Sequence, residues 1–212
     1  MQELNDQLPA IPAALLAAWR ATVGARAGSG GAESARTPVD FYFDRLLPAI
    51  AAQLDAHHIG DQRAARLDGL ASLVGMSPQT TVLTAELLRP RSLLLVSSGE
   101  GASVERICEW FTRRPEGHRP QFVRTALCAP TDPAAIIQAI RAWRAELGPD
   151  ATSAIDATGG RKSMSAAAGM LAATDGIGLA YLESDYCAAL RSAVPGSERL
   201  VWLAHRPRLG AA

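Results

Sequence analysis

The chain has 212 residues, with 21 basic and 21 acidic side chains and a formal net charge of zero. That length suffices for one domain with an appendage, built on a core that needs neither disulfides nor metal. Balanced charge excludes a general binder of duplex DNA, whose non-specific affinity needs an excess of Lys and Arg, and leaves room only for a local basic site.

The N-terminus, "MQELNDQLPAIPAALLAAW", lacks a basic segment followed by an uninterrupted apolar run, so no signal peptide is expected. Its apolar stretch is broken at Arg20, short of the roughly 20 residues a membrane span requires. Residues 1–65 read as a helical N-terminal extension. "PAIPAALLAAWRATVGA" is Ala/Leu-rich, "GARAGSGGAESART" is flexible by composition, and "TPVDFYFDRLLPAIAAQLDAHH" is amphipathic, with Pro48 expected to kink or divide it.

From Leu67 onward the rhythm changes, and residues 66–212 read as a second domain. "LDGLASLVG" is a short apolar run ending in glycine. "SPQTTVLTAELLRP" predicts a helix, with Ser77 as N-cap and Pro78 at its first position. "SLLLVSS" is the continuous apolar run of a strand buried on both faces. "GASVERICEWFTRR" predicts a helix and "QFVRTALC" a strand. "TDPAAIIQAIRAWRAELG" predicts a helix capped by Thr131 or Asp132 and closed by Gly148. "TSAID", "RKSMSAAAGMLAAT", "IGLAYLE" and "RLVWLA" read as strand, helix, strand and strand. This alternation predicts an α/β, Rossmann-like, mainly parallel sheet with helices on both faces. Such sheets bind ligands beyond the carboxyl ends of their strands. The turns to inspect are therefore 74–79, 97–102, 128–132 and 156–162.

The last of these, "DATGGRKS", carries the strongest signal. Gly159 and Gly160 permit positive φ and let a ligand approach the main chain. The helix that follows offers unpaired N–H groups and a partial positive charge, a seat for phosphate. Arg161 and Lys162 stand where Asp or Glu is normally favoured. Cations at the positive end of a helix break a local rule, and broken local rules mark functional sites. Thr158 has a hydroxyl to offer the same anion. Asp156, at the strand end, either caps the turn or meets a ligand hydroxyl. A P-loop is excluded, because the position five before Gly160 is Ile155. "GEGASV" lacks the third glycine of a dinucleotide fingerprint and follows the second strand rather than the first.

"DATGGRKSMSAAAG" closely resembles the D-x-T-G-G-T-K-x-M-S-x-A-A signature of CARF domains, the CRISPR-associated Rossmann-fold sensors of type III defence systems. "LASLVGMSPQTTVLTAELLRPRSLLLVSS" resembles that family's opening strand, its G-x-x-P loop and its second strand, so the similarity covers roughly residues 66–205. The resemblance implies a cytoplasmic homodimer that binds a cyclic oligoadenylate, cA4 or cA6, across its twofold axis, with no cofactor or metal. It implies that Thr158, Gly159, Gly160 and Lys162 hold the ring's phosphates. Ser77, Pro78, Gln79, Ser97, Ser98 and Gly99 then line the pocket floor and the adenines. Met164 and Ser165 match the pattern and serve packing. Arg161 departs from it, because the family usually has Thr there, and it either adds a phosphate contact or crowds the pocket and changes ring preference.

The family usually fuses its sensor to an output domain, and none is legible here. "RRPEGH" has the R-x4-H spacing of a HEPN ribonuclease, but Pro115 and Gly117 break the helix that motif needs. His57 and His58 have no third metal ligand nearby in sequence. The N-terminal helices are expected to pack on the sensor, extend the dimer or dock a separate effector protein. A second reading is a ring nuclease. There the ribose 2′-OH attacks its own phosphate without metal, Lys162 and Arg161 stabilise the charge, and Thr158, Ser98 or Ser77 orients the attack. Glu100 faces either ribose hydroxyls or water. Trp110, Trp143 and Trp202 are expected in the core, and Tyr181 and Tyr186 either stack on adenine or pack. Asp185 has no evident role. The three cysteines, Cys108, Cys128 and Cys187, are widely spaced and read as reduced, buried thiols.

Overall fold

The computed structural model describes residues 11–28, 37–59, 66–99, 101–189 and 192–207. Glu100 and the side chains of His57 and His58 lie outside the described residues, as does most of the glycine-rich stretch after Gly28. Two compact units form, residues 1–60 with 183–199 and residues 61–182 with 200–212. The sequence reading counts 183–199 with the sheet, whereas its contacts cluster with the N-terminal helices.

In the first unit, α1 (Ala13–Gly28) buries Trp19 and Val23. The next helix, α2 (Pro38–Phe41), opens with a capping box. The Thr37 hydroxyl accepts from the Asp40 N–H at 3.1 Å, and the Asp40 carboxylate accepts from the Thr37 N–H at 3.0 Å. A π-helical turn, Tyr42–Leu46, leads into α3 (Leu47–Ile59), and the Leu47 N–H donates back to the Tyr42 carbonyl. The proline does not divide the helix. Pro48 has no N–H to give to the preceding turn, and the wider turn just before it takes up the mismatch. Phe41, Tyr42, Leu46, Leu47, Ile50 and Leu54 are buried along this segment.

The second unit alternates as the sequence predicts. Its elements are β1 (Gly69–Val74), α4 (Pro78–Leu88), β2 (Ser92–Ser97), α5 (Gly101–Arg113), β3 (Phe122–Leu127), α6 (Pro133–Leu147), β4 (Ser153–Asp156), α7 (Lys162–Asp175), β5 (Gly178–Glu183) and, after an excursion, β8 (Arg199–Ala204). The excursion carries a short antiparallel pair, β6 (Tyr186–Cys187) and β7 (Ser192–Ala193), which periodicity does not reveal. The sheet order is β3-β2-β1-β4-β5-β8, with β3, β2, β1, β4 and β5 all parallel. The domain is Rossmann-like. The central strands β1, β2 and β4 are buried at every position, the pattern of strands covered on both faces.

On one face α6 and α7 pack over Ala71, Leu73, Leu94, Val96 and Ile155, with Ile136, Ile140, Trp143 and Leu171 filling the layer. On the other face α4 and α5 are clamped together by the buried Glu86, which accepts from Trp110 Nε1 at 2.8 Å and lies 3.0 Å from Arg114. Of the three predicted core tryptophans, Trp110 and Trp143 are buried and Trp202 is half-buried. The α6 start matches its sequence signal, with Asp132 accepting from the Ala135 N–H at 3.0 Å. Helix α5 ends at Arg113 and His118 lies in a 3-10 turn, so no helix carries the R-x4-H pair. Cys128 is buried, Cys108 and Cys187 are partly so, and burial raises the Cys108 and Cys128 thiol pKa values, which keeps both protonated and unreactive.

The first unit hides one ionisable pair. Tyr42 Oη donates to Glu198 Oε1 at 2.6 Å, while Glu198 Oε2 accepts from the Gly196 N–H. Burial raises the pKa of both side chains, and the phenol and backbone donors pull that of Glu198 partly back. A carboxyl raised in the folded state lends stability that is full below its unfolded pKa and lost as pH rises through its folded value. Tyr42→Phe removes the phenol and leaves the carboxylate short of a donor. Chemical denaturation at neutral pH is expected to show a loss of about 1–2 kcal/mol, shrinking as the pH is lowered and Glu198 protonates.

Candidate functional site

The strand order reverses at one place. β2 and β3 extend from one side of β1, and β4 and β5 from the other, so the crevice of an open α/β sheet falls beyond the ends of β1 and β4. The turns that rim it are residues 75–77 and 157–161. They touch through bare backbone. A Cβ on Gly75 would lie 2.8 Å from the Gly160 nitrogen, and one on Gly159 would lie 2.0 Å from the Leu73 carbonyl oxygen. Gly160 also sits at φ +73°, where a side chain is strained. Gly159→Ala is therefore expected to cost about 2–4 kcal/mol by forcing the two turns apart. A thermal melt checks this, and an unchanged midpoint would refute the close approach.

Beneath the turn lies Asp156, fully buried. Its Oδ1 accepts from the Thr158 N–H at 2.9 Å and the Thr158 hydroxyl at 2.5 Å, and its Oδ2 accepts from Ser72 Oγ at 2.7 Å. Ser72 in turn lies 3.0 Å from Thr81 Oγ1 on α4. Burial raises the Asp156 pKa, opposed by the donors from Thr158, Ser72 and Thr84. One carboxyl thus ties β1, β4, α4 and the turn together. Of the two readings of Asp156 the structure shows the cap, and the expectation for the Thr158 hydroxyl changes. Asp156 is the turn's internal cap, with no exposed surface for a ligand hydroxyl. The Thr158 hydroxyl gives its hydrogen to Asp156 and receives the Leu182 N–H at 2.7 Å, so it holds the turn's shape and is not left to orient a ribose hydroxyl.

Beyond the glycines α7 begins without a side-chain cap. Arg161 is its N-cap in extended conformation, and no side chain closes the first turn. The first N–H groups of such a helix are orphans that an anion satisfies. Arg161 and Lys162 are both exposed, and among the described residues neither has an ion-pair partner. Lys162 is, moreover, the chain's only lysine, the other 20 cationic side chains being arginine. A composition that uses arginine everywhere else points to a need for a compact ammonium at this one place. Sequence reasoning weighed the position of Lys162 and missed its uniqueness, which a simple residue count reveals.

The other expected site residues separate into surface and support. Ser77 is exposed at the start of α4 with no side-chain cap bond, and Pro78 behind it is buried. Gln79 is half-buried, with its Oε1 shielded and lacking a hydrogen-bond partner among the described residues. Ser97 is buried and accepts from the Gly99 N–H at 3.2 Å, which shapes the second turn, while Ser98 is half-buried and Gly99 exposed at φ +122°. Met164 is buried as packing, and Ser165 Oγ donates to the Ala157 carbonyl at 3.2 Å. Tyr181 and Tyr186 are exposed, and the Asp185 N–H donates to Ser197 Oγ at 2.9 Å. A cavity of about 340 Å³ lies at the other end of the sheet, lined by Asp68, Arg91, Phe122, Arg124, Trp143 and Glu146 among others, and shares no residue with these turns. Among the described residues no group of His, Cys, Asp and Glu is placed to hold a metal ion, and no helix is long and apolar enough to cross a membrane.

No protein-family model and no curated protein matches the chain. Several solved structures are similar to it. Can2 from Sulfobacillus thermosulfidooxidans, in complex with cyclic tetra-adenylate, is 20% identical over 67% of this chain and 37% of its own, with a TM-score of 0.48. Csm6 from Enterococcus italicus, bound to cyclic hexa-2′-fluoro-hexa-dAMP, is 14% identical over 56% of this chain and 34% of its own, with a TM-score of 0.43. MtNAS in complex with MTA and tNA is 13% identical over 85% of this chain and 58% of its own, with a TM-score of 0.35. The chain thus spans little more than a third of the Can2 and Csm6 chains.

Proposed function

We propose that this chain is a CARF-type sensor of cyclic oligoadenylate, acting as a homodimer with the ring across the twofold axis. One observation carries the reading. At the switch point of the sheet, a glycine turn braced from below presents an uncapped helix start beside two exposed cations with no ion-pair partner among the described residues. That arrangement suits a phosphodiester, which brings acceptor oxygens for the backbone donors and negative charge for Arg161 and Lys162. The stretch around it, "DATGGRKSMSAAAG", resembles the CARF signature, which supports cyclic oligoadenylate as the ligand class. A twofold-symmetric ring fits an interface in which each subunit supplies the same turns. The same ligand class occupies the Can2 and Csm6 complexes, but the proposal rests on the turn.

Incubation with radiolabelled cyclic tetra- and hexa-adenylate tests it. A stable shift of one ring without linear products supports the sensor. Linear products ending in 2′,3′-cyclic phosphate would instead make the protein a ring nuclease. Binding of a mononucleotide and of neither ring would overturn the ligand class. The helices of residues 1–60 are proposed as the part that docks a separate effector.

A further inference from the structure

We propose that β3, the terminal strand of the sheet among the described residues, is a second self-association surface, which pairs antiparallel with β3 of another copy of this chain. β3 is the terminal strand of the sheet, and its six residues pair in unbroken register with β2. It contains no proline and no bulge, and its single charged residue, Arg124, is ion-paired with Glu146 of α6. Natural edges are normally blunted by prolines, bulges and several charges, and an edge with so few of these devices is a pairing template. Its large apolar side chains are also in the open, with Phe122 61%, Val123 36% and Leu127 76% exposed.

Backbone direction selects the register. The Gln121 and Phe122 N–H groups share the Arg91 carbonyl where the strand begins, and the Cys128 N–H donates to the Ser97 carbonyl, so from Phe122 onward the even-numbered residues bond inward to β2. The alternation of a strand then turns the N–H and C=O groups of Val123, Thr125 and Leu127 outward. A twofold axis normal to the sheet, passing at Thr125, pairs all three outward residues of each strand. Thr125 meets the partner's Thr125, and Val123 meets the partner's Leu127. Arg124 then stands opposite the partner's Ala126, so no like charges face each other. Moving the axis to Arg124 pairs only two of the three outward residues and so forms fewer ladder bonds. Thr–Thr and aliphatic pairs are favourable cross-strand partners, and two six-stranded sheets would continue into one. Phe122, Val123, Arg124, Thr125 and Leu127 lie outside the ligand turns, so this interface is independent of ligand binding.

The test is disulfide trapping of the full chain. Directly opposed, hydrogen-bonded residues of an antiparallel pair have Cα atoms about 5.5 Å apart, within disulfide reach. Under mild oxidation Thr125→Cys is expected to form a covalent dimer on a non-reducing gel, beyond the background set by the native cysteines of the wild type. Arg124→Cys is expected not to. Adding Leu127→Lys to Thr125→Cys is expected to cut the trapped dimer at least about tenfold, because two apolar contacts per dimer are lost. Leu127→Lys alone is expected to bind cyclic oligoadenylate like the wild type, and Lys162→Ala in the Thr125→Cys background to trap equally well, so the two sites fail separately. Trapping through Arg124→Cys, or none above background through Thr125→Cys, would overturn the proposal.

Discussion

Lys162→Ala is expected to lower the affinity for cyclic oligoadenylate about a hundredfold or more while leaving the melting temperature unchanged. The stability expectation follows from its surroundings. Lys162 is exposed, and among the described residues no side chain depends on it. The binding expectation follows from charge. A hydrogen bond from an ammonium to a phosphate contributes about 1.5–3 kcal/mol, a twofold complex loses it twice, and about 1.4 kcal/mol is one decade in affinity. Lys162→Arg is expected to recover only part of the loss, because a planar guanidinium on a longer stem does not replace a point charge set against a helix start. Arg161→Ala is expected to cost less, about tenfold, since the N-cap backbone stays in place. Isothermal titration of the variants checks the order. An alanine variant that binds like the wild type would remove Lys162 from the site.

The second large effect lies where no ligand reaches. Asp156→Ala deletes the acceptor for the Thr158 N–H, the Thr158 hydroxyl and Ser72 Oγ, and its contact with Thr84. Ser72 has Thr81 as a second partner, but the Thr158 N–H is stranded inside the turn. The expected cost is about 3 kcal/mol, together with weaker ring binding, because the glycine turn loses its brace. Asp156→Asn is expected to cost only about 1 kcal/mol. Its carbonyl oxygen keeps the Thr158 donors, its NH2 donates to Ser72 Oγ, and Ser72 swings its own hydrogen to Thr81. The pH dependence has a definite sign. Burial raises the Asp156 pKa in the folded state, so its contribution is full below the unfolded carboxylate value of about 3.9 and declines as pH rises through the folded one. The stability gap between wild type and Asp156→Asn is therefore expected to narrow from low to neutral pH. Urea melts across that range check this, and a gap that widens would contradict it.

The fold was legible because the central strands obey simple rules. "SLLLVSS" and "TSAID" are continuous apolar runs separated by helices with ordinary caps, and Asp132 caps α6 as its position after Thr131 suggests. The excursion between β5 and β8 was not, because two-residue strands leave no periodicity and the Tyr42–Glu198 bond spans 156 positions. The π turn was half legible. Pro48 flags an interruption, but only the folded chain shows it absorbed without a break. At the site the motif locates the turn, yet it does not say which polar groups face outward. Thr158 looks like a ligand group in a string of letters, and Asp156 like either a cap or a ligand group, since a buried cap and an exposed contact use the same residue types. Ser72, Thr81 and Thr84, which complete the network beneath the turn, sit inside apolar runs and carry no motif.

Lysine reactivity puts the question to the protein most directly. Because Lys162 is the only lysine, an amine-acylating reagent followed by peptide mapping reads one ε-amine, with the N-terminal amine separable by mass. Saturating cyclic oligoadenylate is expected to slow acylation of Lys162 at least about tenfold, as an ammonium engaged by phosphate is shielded from the reagent. If the ring binds and Lys162 is acylated at its free rate, the anion is held somewhere else, and the account of this turn is wrong.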